Sequence, residues 1–90
     1  MTNPTNFGSP ITGTLTATTK IVAVSNLQIP ASIALNTTDS AKAIAVSIDG
    51  TIFNTLTPTA SPTGQIYVAL SYPVKAIKFT GAINDTYTIL

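Results

Sequence analysis

Neither histidine, cysteine, glutamate, arginine nor tryptophan occurs among the 90 residues. Each absence closes off some chemistry. Without His and Cys there is no zinc site of the usual structural kind and no disulfide to staple a small domain. Without His, Cys and Glu, acid–base and nucleophilic catalysis would fall to a few Asp, Lys and Tyr side chains. Charge is scarce as well: 8% of residues carry it, against about 25% in an ordinary soluble domain. Lys20, Lys42, Lys75 and Lys78 stand against Asp39, Asp49 and Asp85, for a net charge of +1. Four dispersed lysines form no phosphate-tracking stripe, so nucleic acid is not an expected partner. No run approaches the roughly 18 apolar residues of a membrane span, so a membrane is not expected either. Met1 is followed by Thr-Asn-Pro-Thr-Asn, with no basic segment and no apolar stretch of a secretory signal. Assembly in the cytoplasm is the expectation, the alternative being a mature fragment from which a signal has been removed.

What remains is apolar and uncharged-polar. Hydrophobic residues make up 44% of the chain and mean hydropathy is positive, which argues against disorder. Thr, Ser and Asn supply a polar but nearly neutral surface. Such a surface lacks the net charge that keeps small domains apart in solution, so part of it is expected to be covered in the working state. A single domain of this length buries only about two-thirds of the surface its unfolded chain exposes. Good apolar packing, or neighbours, must make up the difference.

Periodicity points to strands. Residues 1–10 contain Pro4, Asn6, Phe7, Gly8 and Pro10 without helical or strand periodicity, and are expected to form an extended arm. That arm is either a frayed end or a docking segment anchored by Phe7. From Ile11, Gly13, Leu15 and Ala17 alternate with threonines, as in a half-buried strand. Ile21–Val24 is apolar on both faces, which suits a central strand or an interface. Pro30 belongs at an edge or a strand start, and Ile33 and Leu35 mark the next strand. Asn36–Ser40 is a turn by composition, and Ala43–Ile48 follows with Ile44, Val46 and Ile48 on one face. Asp49-Gly50, before Thr51-Ile52-Phe53, predicts a hairpin with a two-residue type I′ turn. Thr57–Gly64 is a loop, Gln65–Leu70 a strand and Ser71-Tyr72-Pro73 a corner. In Val74–Thr80, Ile77 and Phe79 face the core while Lys78 snorkels to solvent. Gly81 ends that strand, Asn84-Asp85 turns, and Tyr87–Leu90 is the last strand. Lys20–Ser25 and Lys42–Ser47 echo each other, as shared strand composition rather than a repeat, which needs at least three units. The expected fold is all-β: a small antiparallel β-sandwich of seven or eight short strands over residues 11–90, with a small barrel as the alternative.

Candidate reactive groups all have structural explanations. Asp49 and Asp85 occupy turn positions, and Lys42 or Lys75 beside a Ser is more simply a solvated strand lysine. No catalytic residue, cofactor or metal is expected. Asn36, Asp39 and Ser40 form the one loop cluster with a carboxylate that a calcium ion would want, and turn formation accounts for it equally well. Tyr67, Tyr72 and Tyr87 are the candidates for stacking on a sugar, or rim residues of the core.

The stretches Asp49-Gly-Thr-Ile-Phe53 and Gln65-Ile-Tyr-Val-Ala-Leu-Ser-Tyr-Pro-Val-Lys-Ala-Ile-Lys-Phe-Thr-Gly-Ala-Ile-Asn-Asp-Thr-Tyr-Thr-Ile-Leu90 resemble the C-terminal half of small β-sandwich structural proteins from tailed bacteriophages. The resemblance covers about 40 residues and is one of pattern. It implies a non-enzymatic virion protein of the capsid decoration (cement) type, or a tail or head-fibre accessory subunit. The implied partners are the major capsid protein or other virion subunits, and copies of the chain itself, with a trimer as the expected homo-oligomer. Docking of Pro4, Asn6, Phe7 and Pro10, burial of apolar strand faces and strand pairing across subunits would hold it in place. A sugar- or surface-binding adhesin module is the reading from another class.

Overall fold

The computed structural model describes residues 5–6, 11–24, 28–30, 32–37, 42–60 and 65–90. Its strands are β1 (Thr5–Asn6), β2 (Ile11–Thr14), β3 (Thr19–Ala23), β4 (Gln28–Ile29), β5 (Ile33–Asn36), β6 (Ala43–Ser47), β7 (Asn54–Thr55), β8 (Thr59–Ala60), β9 (Gln65–Val68), β10 (Ala76–Thr80) and β11 (Thr86–Ile89). Two antiparallel sheets carry the architecture, one ordered β2-β11-β5-β9-β8 and the other β3-β10-β6-β7. A two-residue parallel ladder joins β1 to β4.

The pairing has a simple logic. β2 pairs with β11, β3 with β10, β5 with β9 and β6 with β7. The first half of the chain thus lies along the second as one long antiparallel ribbon, with its tip at the β6–β7 hairpin. Rolling that ribbon brings β11 against β5 and β10 against β6. This strand order is that of an eight-stranded jelly roll, with β8 added outside β9. The sandwich expectation holds. The alternative barrel does not form, because each sheet keeps two open margins among the described residues.

The alternating strands supply the core between the sheets. Ile77 and Phe79 of β10, Ile44 of β6, Ile33 and Leu35 of β5 and Ile89 of β11 are fully buried, each worth about 1.5–3 kcal/mol relative to exposure. Phe79 stacks on Tyr87 with ring centroids 4.7 Å apart and planes inclined by 21°. Tyr87 lies opposite Gly13 in the β11–β2 register, and its ring and hydroxyl fill the space a β-carbon on residue 13 would occupy.

Several expectations need correction. The alternation from Ile11 ends with the strand at Thr14; Leu15 is buried but Ala17 is exposed. β3 is not central: it bonds only β10 and leaves Ile21 56% exposed. Ile48 does not continue the inward face of β6, since the strand stops at Ser47 and Ile48 turns out to solvent. Asp49-Gly50 does not make a two-residue type I′ turn, which needs positive φ at both residues. Gly50 has φ of +86°, but among the described non-glycine residues only Asn84 has a positive φ. The hairpin instead closes through a wide loop, with Val46 opposite Asn54, and Thr51-Ile52-Phe53 is not a strand. β10 starts at Ala76, two residues later than the alternation suggested. The Thr57–Gly64 loop contains β8, and its residues 61–64 lie outside the described residues. Of the expected arm, Thr5 and Asn6 form β1, while Pro4, Phe7 and Pro10 lie outside the described residues, as do Thr38, Asp39 and Ser40.

Candidate interaction surfaces

The loop at the ribbon's tip is organised by Asp49. Its Oδ1 accepts hydrogen bonds from the backbone N–H of Thr51 (2.8 Å) and Ile52 (2.9 Å) and from the Ser47 hydroxyl (2.9 Å). Ser47 Oγ in turn accepts from Gly50 N–H at 2.8 Å. These bonds, led by the one from Ile52, hold the Asp49 carboxyl down at about 2, from an ordinary 3.8. Asp85 has a parallel task, accepting from Ala82 N–H through Oδ2 at 2.7 Å. Asn84, at φ +78°, donates its N–H to the Leu15 carbonyl at 2.8 Å and so ties this turn to the end of β2. Both carboxylates serve their own turns. Lys42 is half-buried just before β6, Lys75 is exposed, and Asn36 donates from Nδ2 to Thr86 Oγ1 at 3.3 Å. Among the described residues no three His, Cys, Asp or Glu side chains converge as metal ligands.

The same loop covers part of the outward face of the four-stranded sheet. By register Ala45 lies beside Lys78, and Ser47 beside Ala76. These alternate positions point away from the core, yet Ala45, Ser47 and Ala76 are buried. The cover comes from the loop: Phe53 lies under Lys78, whose Nζ is 5.2 Å from the ring centroid. The Lys75 side chain lies alongside Gly50. Lys78 therefore snorkels as expected, and its head rests on an aromatic face. At the β3 margin the outward face is open: Ile21 neighbours Lys78 across the β3–β10 ladder and is 56% exposed. Ile48 and Ile52 of the loop, and Ile83 of the turn before β11, are exposed as well. Lys20, two residues before Val22 and opposite the buried Phe79 in the β3–β10 register, faces the core side at the sheet margin. An inward charge there disfavours the addition of a further strand.

A second surface lies at the other margin. Leu56 follows β7, donates its N–H to the Ile44 carbonyl at 2.9 Å, and enters a groove with Thr57, Thr59 of β8, Tyr67 and Val68 of β9, and the Ala69–Tyr72 corner. The groove holds about 280 Å³. Leu56, Val68 and Leu70 join it to the hydrophobic core. Tyr67 and Tyr72 are exposed at its rim, and Tyr67 sits directly opposite Thr59 in the β8–β9 register. Tyr87, the third candidate for stacking on a ligand, is a core residue. Residue type alone marks both rim tyrosines as candidates, but nothing in the sequence indicates that Leu56, Thr57 and Thr59 share their groove, because the pairing of β8 with β9 has no local signal. The exposure of Ile48 and Ile52 follows from the wide loop, which the strand pattern of Ala43–Ile48 and Thr51-Ile52-Phe53 does not anticipate.

No family model matches the chain, and neither a curated protein nor a solved structure matches it.

Proposed function

We propose that the chain is a non-enzymatic structural subunit of a tailed-phage virion, a capsid decoration protein that assembles as a trimer and braces seams between major capsid subunits. The observation that carries this reading is the set of exposed isoleucines, Ile21, Ile48, Ile52 and Ile83, on a domain with few charged residues. Single exposed apolar residues are ordinary, but several large ones on a nearly uncharged small domain favour a surface that is partly covered. The jelly-roll order adds weight, since viral capsid and lectin domains both use it, although a fold alone does not fix a function. Contact through the outward face, rather than through an added strand at β3, fits the inward Lys20. A stable interface of this type buries on the order of 1,200–2,000 Å² in total, with Ile21 proposed as an apolar contact within it and polar Thr and Ser side chains at its rim. Pro4, Asn6, Phe7 and Pro10 are proposed to extend the contact as an arm.

The test combines mass and binding. Sedimentation should return a trimer, and the protein should co-sediment with shells of the major capsid protein of the same phage. Ile21→Lys should weaken both, and deletion of residues 1–10 should weaken binding to shells. A stable monomer that ignores shells would refute the proposal. A place on the tail or a head fibre would instead appear as density there in a virion reconstruction.

A further inference from the structure

We infer that the groove between the β7–β8 segment and the β9 corner is a binding site for a neutral carbohydrate, recognised by the faces of Tyr67 and Tyr72 and the hydroxyls around them. This site is independent of the capsid contact proposed above. Its chemistry is specific. Among the described residues no lysine or aspartate lines the groove, so its described lining offers no ion pair to select a phosphate, sulfate, carboxylate or ammonium group. The lining instead combines two half-exposed aromatic rings, the hydroxyls of Thr57, Thr59 and Ser71, and an apolar floor of Leu56, Val68 and Leu70.

A pyranose matches that set. One face of the ring presents C–H bonds that pack on an aromatic face, while its edge presents hydroxyls that both donate and accept. Ser, Thr and Tyr hydroxyls do both as well. A purely apolar ligand would leave the three aliphatic-alcohol side chains unpaired, and burying such groups without partners is costly. A charged ligand would lose hydration with no counter-charge to replace it. The groove volume of about 280 Å³ lies at the lower end of the roughly 300–1,000 Å³ typical of small-molecule sites, which suits one or two sugar rings. Tyrosine also presents a large, rigid contact at a small cost in side-chain entropy. Position favours access: in the four-stranded sheet β3 and β7 are the two opposite margins, so the groove, reached through Leu56 just after β7, is remote from Ile21.

The experiment is a titration of the intact ¹⁵N-labelled chain, followed by amide shifts, with maltotriose, cellotriose, lactose and the trimer of N-acetylglucosamine as probes, and with sialyllactose as a charged comparator. At least one neutral sugar should shift the amides of Tyr67, Ala69, Ser71 and Tyr72 saturably in the millimolar range, and sialyllactose should bind no more tightly than lactose. Tyr67→Ala and Tyr72→Ala should each weaken that binding about tenfold. Tyr67→Phe and Tyr72→Phe, which keep the rings and preserve the fold, should retain most of it. Any of three results would overturn the inference: no saturable shift with any neutral probe, shifts confined to residues outside the groove, or binding that requires the sialic acid carboxylate.

Discussion

Substituting Gly13 by alanine probes the closest packing in the roll. Gly13 sits in β2 opposite Tyr87 of β11, and Tyr87 is held between that glycine and the ring of Phe79. A β-carbon at residue 13 would overlap the Tyr87 ring and hydroxyl. The ring must then tilt, which disturbs a stacked pair at the centre of the core. Overpacking of this kind costs about 1–3 kcal/mol, and losing the stack adds about 0.5–1.5 kcal/mol. Restricting the unfolded chain returns about 0.4–1 kcal/mol. The expected net loss is therefore about 1–3 kcal/mol. In a domain of this size that corresponds to a fall in melting temperature of about 5–20 °C. Thermal and urea denaturation measure it, and a cycle with Tyr87→Leu isolates its cause. In the Tyr87→Leu background, where the side chain is shorter and free to move, Gly13→Ala should cost little. Equal stability of wild type and Gly13→Ala, or an undiminished cost in the Tyr87→Leu background, would refute the steric account.

Two further predictions concern the turns. The Asp49 carboxyl, held at about 2 by its hydrogen bonds, contributes stability that is complete above its ordinary 3.8 and is lost as pH falls through the folded value; denaturation midpoints should therefore drop between about pH 4 and pH 2, and Asp49→Asn should remove that step while lowering stability at neutral pH. Asn84 is in the left-handed region at φ +78°, which costs a β-branched residue at least about 1–2 kcal/mol; Asn84→Val should lower the melting temperature by about 5–15 °C, and Asn84→Gly should leave it within a few degrees of wild type or raise it.

The fold was legible wherever one face of a strand meets the core and the other meets solvent. Ile77 and Phe79, Ile33 and Leu35, and Ile44 and Val46 alternate cleanly and are buried as the period of two requires. The order of the strands was not legible, because the jelly roll pairs β2 with β11 and β3 with β10 across most of the chain, and a hydrophobic period carries no information about which strand lies alongside. The echo between Lys20–Ser25 and Lys42–Ser47 is a case in point: β3 and β6, which carry their described parts, flank β10 on opposite sides, yet Val22 faces Ile77 and its counterpart Ile44 faces Phe79. The similarity does not impose a common register. Misreadings arose where a local rule met a competing contact. Asp-Gly would favour a tight turn, but the Asp49 carboxylate finds the Thr51 and Ile52 amides and opens the loop. Once the loop folds back under Lys78, Ala45, Ser47 and Ala76 are covered on the side a two-layer sandwich leaves open. An apolar run on both faces, as at Ile21–Val24, fits a buried central strand and an exposed edge awaiting a partner equally well.

The two surfaces sit where they do for one reason. Rolling a ribbon leaves its margins unlike each other: β3 ends one sheet with an apolar outward face and an inward lysine, whereas the margin beyond β7 is filled out by Leu56, β8 and the β9 corner. A domain held to a shell through the first margin would leave the second facing solvent. The two proposals therefore predict independence. Ile21→Lys should reduce trimer formation and shell binding while leaving sugar-induced shifts of the Tyr67 and Tyr72 amides unchanged. Tyr72→Ala should do the reverse. Because Ile21 lies in β3 and Tyr72 in the corner after β9, their effects should add within about 0.5 kcal/mol. Loss of both functions in either single variant, with the fold intact by amide dispersion, would show that one surface serves both and that the separation drawn from the sheet order is mistaken.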